Sequence, residues 1–299
     1  MKTKEIGALF ALAALWGSSF LFVRIASPAI GPFLTAQGRV TFAAAGLLIY
    51  VFLTGQSTLF RKKWRQYLIV GALNAAIPFT LVAIASLQLN SSLLSIINSL
   101  TPLFTALVAW GWLNERLTIK KWAGIFIGII GVIILVGWSP IPLSLKVIAA
   151  IFCSIFSTLS YGLAGVYAKK TFEGVPPAAV AFGQQMGASL IILPFSVLNL
   201  PKSLSAITPI VSLSVLGVAL LSTAMGYLVY YYLIKNIGPT KTVCVTYMIP
   251  LFGMIWGVLF LKEHITIGMV VGLLVILSSI FLISDIQIKR KKTELISRS

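Results

Sequence analysis

Few side chains in this sequence are equipped for chemistry, and their positions limit what that chemistry is. The carboxylates are Glu5, Glu115, Glu173, Glu263, Asp285 and Glu294; His264 is the one histidine, and Cys153 and Cys244 are the two cysteines. None of the acidic groups falls near the middle of an apolar stretch, and no Cys/His cluster exists. No acid/base pair, activated nucleophile or metal-ligand set is therefore expected, nor any other cofactor, and an enzyme embedded in a membrane would need one of these at depth. What the apolar stretches do contain is Arg39, the amides Asn74, Asn98, Gln184 and Gln185, and the aromatics Trp16, Phe79, Tyr161, Tyr227 and Tyr247. A buried cation among donors, acceptors and rings is binding chemistry. Arg39 attracts an anionic group such as an amino-acid carboxylate, or else it serves structure by satisfying a neighbouring helix or reaching outward. The rings suit an apolar or aromatic side chain or, through cation–π attraction, a cation. Singly, each ring is also what ordinary helix packing would place there; together with the amides they make a mixed pocket of the kind that holds small ligands.

The elements that must position these residues follow from composition. Of 299 residues 59% are hydrophobic and only 10% charged, with a mean hydropathy of +1.01, whereas a soluble chain carries about a quarter charged residues. A membrane-spanning helix needs about 20 apolar residues, and the pattern predicts ten: 5–26, 32–54, 66–88, 92–112, 120–138, 146–168, 177–199, 209–234, 242–261 and 267–285. The expected fold class is thus an all-α membrane protein with ten transmembrane helices. The first stretch is too long for a cleaved secretory signal, has no A-x-A-like site after it, and reads as a retained helix. The net charge of +17 suits a nucleic-acid partner in principle, but the basic residues lie in short runs between spans, where they act as topology signals. With the N-terminus inside, eighteen Lys and Arg fall on the cytoplasmic side and three outside, namely Lys146, Lys202 and Lys262. That bias predicts two cytoplasmic termini and an even number of spans. Trp64, Tyr67, Trp112, Trp122 and Trp138, near span ends, read as interface anchors.

The chain also repeats itself. A shift of 148 residues lays Pro102, Glu115, Thr118 and Gly124 on Pro250, Glu263, Thr266 and Gly272, and a shift of 145 lays Trp16-Gly17, Pro32 and Gly38 on Tyr161-Gly162, Pro177 and Gly183. The halves are 1–143 and 144–285, followed by a basic cytoplasmic tail at 286–299. Five spans is odd, so the halves enter the membrane from opposite faces, as in many secondary transporters with a midplane site. Pro102 and Pro250 each free a carbonyl four residues earlier, on Asn98 and Thr246, and are expected to act as matching hinges. Glu115 and Glu263 end the two segments and are expected to fix the turn to the next helix by capping or ion pairing. Glycine pairs such as Gly124/Gly128 and Gly268/Gly272 permit close helix approach within one chain, so a functional monomer is expected.

These features together resemble the EamA type of the drug/metabolite transporter superfamily: the WGSSF stretch from Trp16, the Gly38-Arg39 pair, and the two Pro…Glu endings, over essentially the whole chain. The resemblance implies a carrier of the bacterial inner (cell) membrane, often an exporter of amino acids or related metabolites. It also implies a cavity lined mainly by the first, third, fourth, sixth, eighth and ninth helices. The reading is therefore a secondary transporter for a small metabolite, with export by alternating access. The alternative is uptake of a nucleotide-like or sulfonium metabolite such as S-adenosylmethionine, as some relatives perform. The carboxylates sit at helix ends, which leaves facilitated flux, or coupling through a group such as Glu115, both open.

Overall fold

A computed structural model describes residues 2–138, 142, 144–201, 204–242 and 244–283, among which there is no strand. Ten helical stretches appear where ten spans are expected: α1 (Thr3–Ile30), α2 (Pro32–Leu53), α3 (Phe60–Ala85), α4 (Ser91–Leu113), α5 (Ile119–Gly137), α6 (Leu145–Thr171), α7 (Pro177–Leu198), α8 (Pro209–Ile237), α9 (Val245–Leu261) and α10 (Ile267–Ile283). The first eight have the length and hydropathy to cross a membrane; α9 and α10 are shorter apolar helices. The tail at 286–299 and Asp285 lie outside the described residues.

The helix starts follow local chemistry. Pro32, Pro177 and Pro209 occupy first-turn positions, where a missing N–H costs nothing. Asn90 accepts from the Leu93 amide at 2.8 Å, Thr118 from Lys121 at 3.4 Å, Ser144 from Val147 at 3.3 Å and Thr266 from Met269 at 3.3 Å, each satisfying a donor the helix leaves unpaired. The matching threonines at 118 and 266 thus do the same work at the starts of α5 and α10. The preceding corners match as well: Asn114 and Lys262 both take left-handed backbone at φ 54°, and the amides of Glu115 and Glu263 bond back to the carbonyls of Ala109 and Gly257.

Packing is set by small residues. Gly124, Gly128 and Gly131 of α5 face Ser279, Ile276 and Ile283 of α10, and Gly268 and Gly272 face Trp138 and Leu135. α1 lies on α9, where a Cβ at Gly17 would stand 2.8 Å from the Phe252 Cβ and 2.9 Å from the Gly253 nitrogen. The corresponding contact recurs between α6 and α4, with a Cβ at Gly162 coming to 2.9 Å from Phe104 C and Thr105 N. Trp256 ties α9 to α1 by donating to the Ala14 carbonyl at 3.0 Å. The apolar core runs through Leu12, Leu94, Ile97, Met269 and Ile276, all fully or almost fully buried, while Phe126, Ile129, Ile130 and Ile133 on α5 point outward, as a lipid-facing surface does. Tyr67 is not an interface anchor: it is fully buried, stacks on Phe60 and Phe172 at 5.7 and 5.2 Å, and donates to the Thr58 carbonyl at 2.7 Å. Ring size and span-end position cannot reveal that α7 passes over it.

Replacing Gly17 or Gly162 by valine forces backbone apart and is expected to lower stability by about 1–3 kcal/mol. Gly7→Ala, inside α1 at a site with nothing within 4 Å, does not lower it, because alanine is the better helix former; thermal unfolding in detergent measures all three.

Candidate functional site

A cavity of about 840 Å³ enters the bundle from the end that carries Glu115 and Lys169 and runs inward to Arg39. Its walls come from the six helices that the family resemblance implies and also from α2, α7 and α10, which supply Arg39, Gln184 and Ile283. Of the nine expected binding residues, Trp16, Arg39, Asn74, Phe79, Asn98, Tyr161, Gln184 and Tyr227 line it. Tyr247 does not: it sits one turn before Pro250 and packs against the main apolar core.

Arg39 is buried, and its guanidinium lies over the Phe79 ring with Cζ 3.5 Å from the centroid. Its Nε donates to the Thr223 hydroxyl at 3.0 Å, and that hydroxyl donates to the Val218 carbonyl at 2.7 Å. Among the described residues no carboxylate pairs with it; the described ion pair is Lys169–Glu115 at 3.7 Å, near the cavity mouth. A buried cation held by a ring and one hydroxyl, without an anion, is an electrostatically incomplete arrangement that favours an anionic ligand.

Two π-helical segments shape this end of the cavity. In α3 the i→i+5 pattern spans Ala72–Ala76, two residues before Pro78. The extra residue in that turn leaves the Leu73 carbonyl to accept from Ser160 at 2.6 Å. Asn74, on the same turn, donates to Gln184 Oε1 at 2.8 Å and to the Tyr227 hydroxyl at 3.2 Å. In α8 the pattern spans Gly217–Met225 and carries Thr223, together with Ser222, whose hydroxyl meets that of Ser18 at 3.0 Å. The shift of 148 residues carries the first segment onto 220–224, inside the second. Such bulges cluster at functional sites because they turn polar groups out of the regular ladder.

Aromatic rings form the rest of the wall. Trp16 stands edge-on to Tyr227 at 6.5 Å and tilted against Tyr230 at 5.3 Å, Tyr227 stacks on Tyr231 at 6.1 Å, and Phe79 meets Tyr161 at 6.4 Å. Gly226 leaves room for Trp16, since a Cβ there would fall 2.7 Å from its indole nitrogen. Gln184 Nε2 and both side-chain atoms of Gln185 are buried without protein partners. Gln184 thus brings an unpaired donor beside the cavity, whereas Gln185 is not among the lining residues.

The two prolines are used differently. Pro102 follows a break at Ser99–Leu100, lines the cavity, and leaves the Asn98 carbonyl to accept from Thr101 at 2.8 Å. Pro250 is buried inside the continuous helix α9 and does not line it. The glutamates also part from expectation. Glu263 does not stop at its own turn but reaches the start of α4, and Glu115 pairs with Lys169 on α6. Sequence reasoning missed Thr223, Ser222, Tyr230 and Tyr231. The adjacent hydroxyls of Ser222-Thr223 between Gly217 and Gly226, within an apolar run, were the available signal.

Removing the Asn74 donor strands Gln184 Oε1 in a buried site. Asn74→Leu is therefore expected to cost about 1–3 kcal/mol in thermal unfolding measurements.

Comparisons with known proteins agree with this architecture. The model of the EamA-like transporter family matches residues 3–137 and again 148–285. The chain is 22% identical over 280 residues to the uncharacterized transporter YoaV of Bacillus subtilis, covering 93% of this chain and 96% of that protein. It is 28% identical over 257 residues to the uncharacterized inner membrane transporter YedA of Escherichia coli, covering 84% and 81%. A solved structure superposes with a TM-score of 0.68 at 16% identity, over 94% of this chain and 96% of the other.

Proposed function

The chain belongs to the EamA-like transporter family, a multi-pass inner-membrane transporter, and from that premise we propose that it exports an amino acid or related small metabolite by alternating access. The observation that carries this reading is Arg39, a buried guanidinium with no described carboxylate partner at the inner end of an 840 Å³ cavity. A substrate carboxylate supplies the missing anion, with charge-assisted hydrogen bonds stronger than neutral ones. The rings of Trp16, Tyr227 and Tyr230 then face its side chain, while Asn74, Asn98 and Gln184 bring polar groups to its amine or other substituents. Tyr161 and Phe79 complete the wall behind Arg39.

The halves 1–143 and 144–285 are read as inverted copies. Their contacts support this: α1 on α9 answers α6 on α4, and α5 packs along α10, its counterpart. The charge bias, eighteen basic residues against three, puts both termini in the cytoplasm. In that orientation the cavity mouth beside Glu115 and Lys169 faces the cytoplasm, where an exported substrate is loaded. The ends of the chain's cation-rich loops then meet the inner leaflet of the bilayer.

Purified protein in liposomes tests the reading. Counterflow of an amino acid identified by thermal-shift screening is expected, and Arg39→Gln lowers it at least tenfold without loss of folded protein; undiminished flux in that variant overturns the carboxylate role. Screening that selects a sulfonium compound instead favours uptake of such a metabolite. Orientation is checked separately: a phosphatase active only outside the cytoplasm reports activity when inserted at Asn199 and stays silent at Arg116.

A further inference from the structure

Glu263 closes the end of the bundle opposite the cavity mouth. Its Oε1 accepts from the Ser91 amide at 2.7 Å, and its Oε2 accepts from the Ser92 amide at 3.0 Å and the Ser92 hydroxyl at 2.6 Å. A carboxylate on three donors at a helix N-terminus is a strong fastening, and it joins the end of α9 to the start of α4. Beneath it the helices touch because α9 carries glycine there: a Cβ at Gly257 would lie 2.9 Å from the Ser92 hydroxyl, and Gly253 faces Ser95. Ser91, Ser92 and Ser95 are fully buried in this seam.

The shift of 148 residues lays Gly253, Gly257 and Glu263 on Thr105, Ala109 and Glu115. Those three residues are in the opposite situation: all line the cavity, and Glu115 pairs with Lys169, whose side chain is 74% exposed. One element is therefore found sealed in one copy and open in the other.

We propose that Glu263 and Glu115 are alternating latches of the transport cycle. In the observed conformation Glu263 holds the start of α4. In the opposite conformation that bond is released, and Glu115 holds the chain entering α9, where Thr240 stands at the place of Ser92. The inference rests on the alternating-access reading above. The two latches are unequal. Pro239, at the place of Ser91, has no N–H to offer, and Thr105 and Ala109 carry side chains where the sealed seam has bare glycine. The Glu263 latch has the more donors and the closer seat, so the cavity-open conformation seen here is the resting one.

Cysteine labelling tests this directly. In the full chain with Cys153 and Cys244 replaced by alanine, Ala109→Cys on the open wall is reacted with a bulky maleimide in lipid nanodiscs. Glu263→Gln is expected to slow labelling roughly threefold or more, because part of the population moves to the conformation that covers position 109. Ser92→Ala, which removes one donor and leaves the carboxylate, slows it less and in the same direction; it also keeps the test decisive if the first variant folds poorly. Glu115→Gln leaves labelling at or above the unaltered rate. Unchanged or faster labelling in both Glu263→Gln and Ser92→Ala overturns the latch, as does slower labelling in Glu115→Gln. Substrate flux is measured apart from labelling, so an absence of transport in the unaltered chain refutes the transporter reading without touching the conformational result.

Discussion

Hydrocarbon offers no hydrogen bonds, and this one constraint organises the chain. Every backbone group must find a partner in its own helix, in a neighbour, or in a cavity. The ten helices answer it for most residues, and caps such as Asn90 and Thr266 answer it at helix starts. Where the ladder is broken the same demand brings in side chains: Ser160 takes the Leu73 carbonyl left by the π segment of α3, and Thr101 takes the Asn98 carbonyl ahead of Pro102. The polar cavity is where such breaks are tolerated, which is why both π segments and the interruption of α4 border it.

Arg39 is the sharpest instance. A cation at this depth is tolerated because Phe79 covers its face and Thr223 accepts from Nε, yet neither supplies countercharge. The guanidinium is thus packed and hydrogen-bonded, yet among the described residues it has no carboxylate partner. The need for close approach produces the second pattern. Lipid gives helices no hydrophobic reason to associate, so contact depends on small residues that let backbones meet. Gly17 and Gly162 provide it at equivalent places, and Gly253 and Gly257 provide it at the sealed seam. Where the first half has Thr105 and Ala109 in place of those glycines, both residues line the cavity.

Much of the fold was legible because its signals are local. Apolar runs of spanning length located the helices, and the paired Pro…Glu segments revealed two related halves. Eight of the nine expected binding residues line one cavity because polar and aromatic residues inside apolar runs have few other places to point. Tyr247 is the exception: a ring at the right depth can face the core or the cavity, and residue type does not say which. Tyr67 failed for the same reason, since nearness to a span end does not reveal which helix lies across it.

The sequence by itself determined the membrane class, the number and order of helices, and the internal repeat. All of these depend on composition, spacing and short-range backbone chemistry. Only the tertiary structure decided that Arg39 meets Phe79 and Thr223, that π turns aim Asn74 and Ser222-Thr223 inward, and that matching glutamates find different partners. The physical reason is that an internal repeat encodes two related surfaces, while the partners each one meets come from the rest of the chain. Which seam is closed depends on donors and backbone clearance supplied by the other half of the chain, at separations of up to 172 residues.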